Sequence, residues 1–157
     1  MCGIAGVLSD NPKDLEPVPA MVAALAHRGP DGEGFFREGP LSMGMRRLAI
    51  NDVEGGQQPL SNEDGSLALI INGEIYNSPE LRKQLEARGH RFKTKADGEV
   101  IVHLYEEKGE KCLEDLDGMF ALALWNSKER SLLLARDIPG EKPLFIALDN
   151  PITFHLL

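Results

Sequence analysis

The sequence predicts an α+β fold in which sheets are layered with helices. Apolar runs of strand length recur along the chain, at residues 3–8, 67–71, 119–125 and 132–136. Between them lie segments whose apolar residues repeat at helical spacing. The last two runs flank Asn126-Ser127-Lys128-Glu129, the pattern of an antiparallel hairpin.

In chain order, residues 3–8 read as a buried strand at the very start, with Gly3 and Gly6 inside it. Val18, Met21, Val22 and Leu25 fall at i, i+3, i+4 and i+7, one face of a helix that Gly29 and Pro30 stop. Leu41, Met43 and Met45 alternate, and the phase then slips to Leu48 and Ile50, which predicts a strand with a bulge near Arg46-Arg47. Residues 67–71 predict a buried strand that closes in a turn at Asn72-Gly73. Ser78 and Pro79 supply an N-cap and first position for a helix carrying Leu81 and Leu85 and ending at Gly89. Val100, Ile101, Leu104 and Tyr105 form the stripe of another helix, ending near Gly109. No internal repeat, low-complexity tract or linker interrupts the 157 residues, a length that suits a single domain with its own core.

Composition narrows the function classes. A hydrophobic fraction of 42% with 27% charged residues belongs to a globular chain rather than a disordered one. A net charge of −8 argues against nucleic acid, because phosphate binding needs clustered Lys and Arg. No run of ~18 apolar residues is present to span a membrane, and no basic start leads into an apolar core as in a signal peptide. The expectation is a cytoplasmic protein in a reducing compartment, where thiols stay free. Its two cysteines, Cys2 and Cys112, form no CxxC pair and no zinc-like spacing, so no metal is predicted. Cys112, among Lys111, Leu113 and Leu116, reads as a small core residue; Cys2, at the start of the chain, does not.

Several short segments have both a chemical and a bland reading. A small residue at position two permits removal of the initiator Met1, which leaves Cys2 with a thiol and a free α-amine. An α-amine titrates near pH ~8 and can take a proton from a thiol, although Met-Cys alone is a common beginning. In Asn72-Gly73-Glu74-Ile75-Tyr76-Asn77, an Asn amide and a Gly backbone N–H can both point at an oxyanion, but a lone Asn-Gly pair is usually a hairpin turn. Arg47 can grip a carboxylate at two points, or simply sit solvated at a strand edge. Asp97 and Glu99 can hold an ammonium, or cap the helix that follows them. His27-Arg28-Gly29-Pro30-Asp31-Gly32 reads most simply as a helix end and a turn.

Each signal alone favours its bland reading; their joint order does not. Cys2-Gly3-Ile4, residues 27–32, Arg47-Leu48-Ala49-Ile50, residues 72–77 and Asp97-Gly98-Glu99 together resemble the glutaminase domain of asparagine synthetase B-type enzymes. Residues 116–121, Arg136-Asp137 and Lys142-Pro143-Leu144 continue the likeness over about residues 2–146. The family belongs to the class II glutamine amidotransferases, which are N-terminal-nucleophile hydrolases. The resemblance implies an αββα sandwich of two antiparallel sheets between helical layers. It implies Cys2 as nucleophile, Asn72 and Gly73 as the oxyanion hole, Arg47 on the glutamine α-carboxylate, and Glu74 and Asp97 near the α-amine, with Leu48 and Ile50 beside the substrate. It implies L-glutamine as substrate, a synthetase domain or subunit as ammonia acceptor, and no cofactor here, ATP and Mg belonging to that synthetase. A homodimer is left open.

The chain also departs from the family pattern. It carries no SGGxDS pyrophosphate loop and no room for a synthetase domain. Met45 stands where a His is common, residues 137–142 replace an Asp-Arg-Phe-Gly-Ile-Lys type segment, and residues 147–157 end abruptly, as if truncated before a core strand. Three alternatives follow: a non-catalytic glutamine-binding or synthetase-docking domain, a truncated remnant of an asparagine synthetase, and a sugar-phosphate or phosphoribosyl amidotransferase of the same superfamily.

Overall fold

A computed structural model describes residues 2–50, 55–148 and 151–155. Among these, nine strands form two antiparallel sheets, and every strand pair is antiparallel. The first half of the chain gives β1 (Gly3–Leu8), α1 (Val18–Ala24), β2 (Gly32–Glu38), β3 (Leu41–Arg47), β4 (Leu60–Ser61) and β5 (Leu67–Ile75). Then come α2 (Ser78–Ala87), α3 (Glu99–Lys108), β6 (Gly118–Asn126), β7 (Ser131–Arg136), β8 (Phe145–Ala147) and β9 (Ile152–His155). One sheet runs β2-β3-β1-β9-β8 and the other β4-β5-β6-β7.

The alternation of side chains along a strand sorts the apolar residues into layers. In β5, Leu67, Leu69 and Ile71 pack with Leu85, Val100, Ile101 and Leu104 of α2 and α3. The intervening Ala68 and Ile70 turn the other way, onto Ile4, Met43 and Met45 of the first sheet. β6 does the same: Phe120, Leu122 and Leu124 face the helices, while Ala121, Ala123 and Trp125 face the opposite sheet. On the far side, Ala5 and Val7 of β1 pack under Val18 and Val22 of α1. The result is the αββα sandwich. Central strands buried on both faces read as unbroken apolar runs, which is why they are legible in the sequence. Each fully buried Leu, Ile or Met contributes on the order of 1.5–3 kcal/mol.

Four sequence expectations change. The helix at residue 18 ends at Ala24, well before Gly29, and residues 25–28 form a turn. β3 has no bulge: its register against β1 runs unbroken from Leu8 opposite Leu41 to Gly3 opposite Arg46. The phase slip at Leu48 marks the end of the strand, where Asp31 takes over; its N–H donates to the Arg47 carbonyl at 3.0 Å and its Oδ2 accepts from Ala49 N–H at 2.9 Å. Asn72-Gly73 is not a turn, because β5 continues to Ile75 with Gly73 opposite Phe120. A Cβ on Gly73 would lie 2.1 Å from the Met119 carbonyl oxygen, so glycine here serves a close approach of two backbones rather than a reversal. Finally, Asn77 rather than Ser78 holds the N-cap of α2, and its side chain bridges the Asp115 carbonyl and the Asp117 N–H.

The segment that leaves the family pattern supplies β9, which pairs with β1 and buries Phe154 completely in the inter-sheet core. Met45 is equally buried there, which explains an apolar residue at that position.

One carboxylate organises the turn after β7. Asp137 accepts N–H bonds from Phe120, Glu141 and Lys142 at 3.0, 2.7 and 3.0 Å. Burial alone would raise its pKa, but these backbone donors outweigh it and hold the carboxyl below the ordinary value. Its stabilising contribution is therefore complete above an ordinary aspartate pKa of ~3.9 and is lost as pH falls through the lower folded value. Asp137→Asn is expected to cost about 2–3 kcal/mol at neutral pH and to flatten the acid limb of a stability-versus-pH curve measured by denaturant melts. An unchanged acid limb would show that Asp137 does not hold this turn.

Candidate active site

The site begins where β1 and β3 lie side by side. Pairing of Gly3 with Arg46 sets Cys2 beside the end of β3. The Cys2 thiol is half-buried against the inter-sheet core and lies 3.9 Å from the Leu48 carbonyl oxygen. The segment at residues 27–32 does more than turn the chain. Arg28 Nε donates to the Cys2 carbonyl at 3.4 Å, and Arg46 Nε donates to the Gly29 carbonyl at 2.9 Å. A Cβ on Gly29 would come within 2.4 Å of the Arg46 carbonyl carbon and 2.6 Å of the Arg47 nitrogen. Glycine there lets this loop lie directly on the backbone that carries Arg47. His27 stays outside, exposed and bonded to the Ala24 carbonyl.

Across the sandwich, Asn72 lies on the same face of β5 as Ala68 and Ile70 and so points between the sheets. It is 1% exposed, and among the described residues its Nδ2 has no hydrogen-bond partner. A buried amide N–H without an acceptor costs about 1–3 kcal/mol, so an unmatched donor here calls for an acceptor from outside the chain. Gln58 supports the same strand from its edge: its Oε1 accepts from Ile71 N–H at 2.7 Å and its Nε2 donates to the Ile71 carbonyl at 3.0 Å.

Cys2, Arg47, Leu48, Ile50, Asn72, Gly73, Glu74 and Asp97 all line one pocket. The structure thus brings together every residue to which the family resemblance gave a role. Arg47 is 4% exposed, so it is not a solvated strand-edge arginine. Asp97 does not cap α3, whose N-cap is Gly98 without a side-chain bond; instead its Oδ2 accepts from Ile75 N–H at 2.7 Å and ties α3 to the end of β5. Glu74 sits exposed at the rim. Glu99 leaves the group: it turns inward and accepts from Lys93 N–H, Thr94 N–H and the Thr94 hydroxyl. Gln58, Met119 and Lys142 line the pocket without having been nominated. Lys142 was visible in the sequence only as part of a motif; the Asp137 turn carries it here.

The pocket therefore offers a thiol, an orphaned amide donor, a buried guanidinium and two carboxylates. That charge pattern complements an amino-acid zwitterion with a side-chain carbonyl aimed at the thiol. The two cysteines differ sharply. Cys112 is fully buried, and burial first, with Asp115 beside it, pushes its thiol up to about 11, which keeps it protonated and inert. Met1 lies outside the described residues, as do residues 51–54 between Ile50 and the pocket residue Gly56.

Comparison with known proteins agrees with this geometry. A family model described as a glutamine amidotransferase domain matches residues 1–155. The chain is 45% identical over 150 residues to an asparagine synthetase [glutamine-hydrolyzing] 2 of Bacillus subtilis (strain 168), covering 92% of this chain and 20% of that protein. It is 46% identical over 149 residues to an asparagine synthetase [glutamine-hydrolyzing] of Sandersonia aurantiaca, covering 93% of this chain and 28% of the relative. The chain thus spans only 20% and 28% of the length of these two relatives. Among solved structures, glutamine phosphoribosylpyrophosphate amidotransferase from B. subtilis superimposes with a TM-score of 0.76 at 25% identity, covering 98% of this chain and 41% of that one. An allosteric regulatory enzyme of purine biosynthesis shares the fold with a TM-score of 0.79 at 24% identity, covering 99% and 42%. With nearly its whole length matched by the family model and its sandwich shared by the solved relatives, the chain belongs to the glutamine amidotransferase domain family.

Proposed function

We propose that this domain hydrolyses L-glutamine to glutamate and ammonia through a thioester on Cys2. The observation that carries the reading is the buried Nδ2 of Asn72, a donor without a partner, lining the same pocket as the Cys2 thiol. With Met1 removed, the Cys2 α-amine takes the thiol proton and the thiolate attacks the side-chain amide carbon of glutamine. The carbonyl oxygen becomes an oxyanion held by Asn72 Nδ2 and the Gly73 N–H, donors already fixed by β5. The proton passes to the leaving nitrogen, the C–N bond breaks and ammonia departs. Water then attacks the thioester carbon, and collapse of this second oxyanion returns the thiol and releases glutamate. Arg47 pairs with the substrate α-carboxylate, and Glu74 and Asp97 face its α-ammonium; Leu48 and Ile50 complete the wall.

The ammonia is destined for an acceptor reaction of the asparagine synthetase type. Support comes from the glutamine-hydrolysing asparagine synthetases among the relatives, of which this chain matches a minor part. Exposed apolar side chains are available for contact with such a partner: Ile138 is fully exposed, and Phe145 and Ile146 on β8 are each about half exposed.

Ammonia and glutamate release by Met1-free protein provides the test. Cys2→Ala is expected to abolish turnover, and a variant as fast as the parent would sink the assignment. Asn72→Ala is expected to lower kcat by about 10²–10³-fold with a small change in KM. Because Asn72 Nδ2 makes no bond among the described residues, its loss should leave Tm nearly unchanged; a large drop in Tm would mark Asn72 as structural instead. Arg47→Lys replaces a two-point grip by a point charge and should raise KM more than it lowers kcat. Gly29→Ala, which presses on the Arg46–Arg47 backbone, should shift KM in the same direction, and an unchanged KM would show that Arg47 does not depend on that contact.

A further inference from the structure

None of Glu63, His90, His103 and Glu106 lines the glutamine pocket, yet their polar atoms converge on one point. Glu63 lies in the turn after β4, His90 follows α2, and His103 and Glu106 share a face of α3 at i and i+3. His90 Nδ1 is 3.5 Å from an oxygen of Glu63 and 3.5 Å from one of Glu106. His103 Nδ1 is 3.3 and 3.4 Å from oxygens of the same two carboxylates. One ligand atom from each of the four residues lies within 4.8 Å of every other.

We propose that Glu63, His90, His103 and Glu106 form a tetrahedral Zn²⁺ site that clamps α3 to the turns on either side of it. Zinc bound to His nitrogen and carboxylate oxygen at ~2.05 Å sets ligand atoms ~3.4 Å apart along each tetrahedral edge; Glu106 Oε2 lies at that spacing from both Nδ1 atoms, and Glu63 Oε2 at that spacing from His103 Nδ1. The outer atoms are arranged as metal ligands require. His90 Nε2 faces Glu107 Oε1 at 3.3 Å, and His103 Nε2 faces Glu99 Oε1 at 3.7 Å. With the protons on Nε2, both Nδ1 lone pairs turn inward; Glu107 behind the His90 ring supports that tautomer, as carboxylates do behind zinc-bound histidines. The carboxylates are oriented too: Glu63 Oε1 accepts from Arg91 N–H at 2.8 Å, and Glu106 Oε1 accepts from Asn62 Nδ2 at 2.9 Å.

With both protons outward, four lone-pair atoms meet, and that arrangement needs positive charge between them. His103 is 0% exposed, and its Nδ1 meets the carboxylates of Glu63 and Glu106 inside the cluster. Cysteine spacing gives no hint of the site, because its donors are His and Glu drawn from three separated segments. It stands independently of the glutaminase reading.

The test uses the full chain carrying Cys2→Ser, so that the pocket thiol cannot take the ion. Titration with Zn²⁺ against a chromogenic chelator should show a single ion per chain, and Zn²⁺ should raise Tm. Co²⁺ in its place should give the intense visible d–d bands of four-coordinate cobalt. His90→Gln and Glu63→Gln, both on partly exposed side chains, should each weaken Zn²⁺ binding by more than about tenfold and remove the Tm shift. Should one variant fail to fold, the other decides. Absence of Zn²⁺ binding by the folded Cys2→Ser chain, or binding that a folded variant leaves unchanged, overturns the proposal and leaves a pair of histidines neutralised by protons.

Discussion

Everything at the pocket depends on the register of β1 against β3. Gly3 opposite Arg46 fixes Cys2 next to the end of β3, and so sets the thiol beside Arg47 and Leu48. A slip by one residue would turn Ile4 out of the inter-sheet core and swing Cys2 to the other face. Three features hold the register. Ile4 and Met45 are fully buried between the sheets, Gly29 presses on the Arg46–Arg47 backbone, and Asp31 bonds on both sides of Leu48. The nucleophile is thus the first residue of a core strand, placed by the same burial that stabilises the fold. β9 adds to this from the other side, pairing with β1 along Ala5 to Leu8.

The opposite wall follows from the second sheet. Asn72 belongs to the strand face that carries Ala68 and Ile70, so burial of those two aims the amide into the gap between sheets. The gap is lined by carbon on most of its length, and there Asn72 Nδ2 is a donor without an acceptor. A chain that keeps such a group forgoes stability at that point, which is expected where the missing acceptor arrives with a substrate. Asp97 ties the start of α3 to the end of β5, so the helical layer closes the pocket from behind.

Much of the core was legible in the sequence because strands buried on both faces are apolar throughout. β1, β6 and the stripe of α3 lie where composition and periodicity put them, as does the half-buried edge strand β7. The failures have physical causes. Asn72-Gly73 has the chemistry of a turn, but a partner strand of equal length carries β5 past it, and the glycine answers a steric demand from Met119 that only the pairing reveals. The phase slip at Leu48 looks like a bulge because a strand end held by a side chain gives the same pattern. Edge strands β2, β4 and β8 escaped notice, being short or half-exposed. The site was legible through the order of its motifs rather than any one of them. Gln58 stayed hidden because a side chain that mimics a pairing strand leaves no pattern in the sequence.

The central claim is that glutamine becomes covalently attached to Cys2 between these two walls. Acid-quenched intact mass spectrometry of the Met1-free protein during turnover, followed by peptide mapping, tests it most directly. The account predicts a transient adduct of glutamine less ammonia, confined to the peptide bearing Cys2 and absent from buried Cys112. Turnover without such an adduct at any quench time, or an adduct on Cys112, would contradict it.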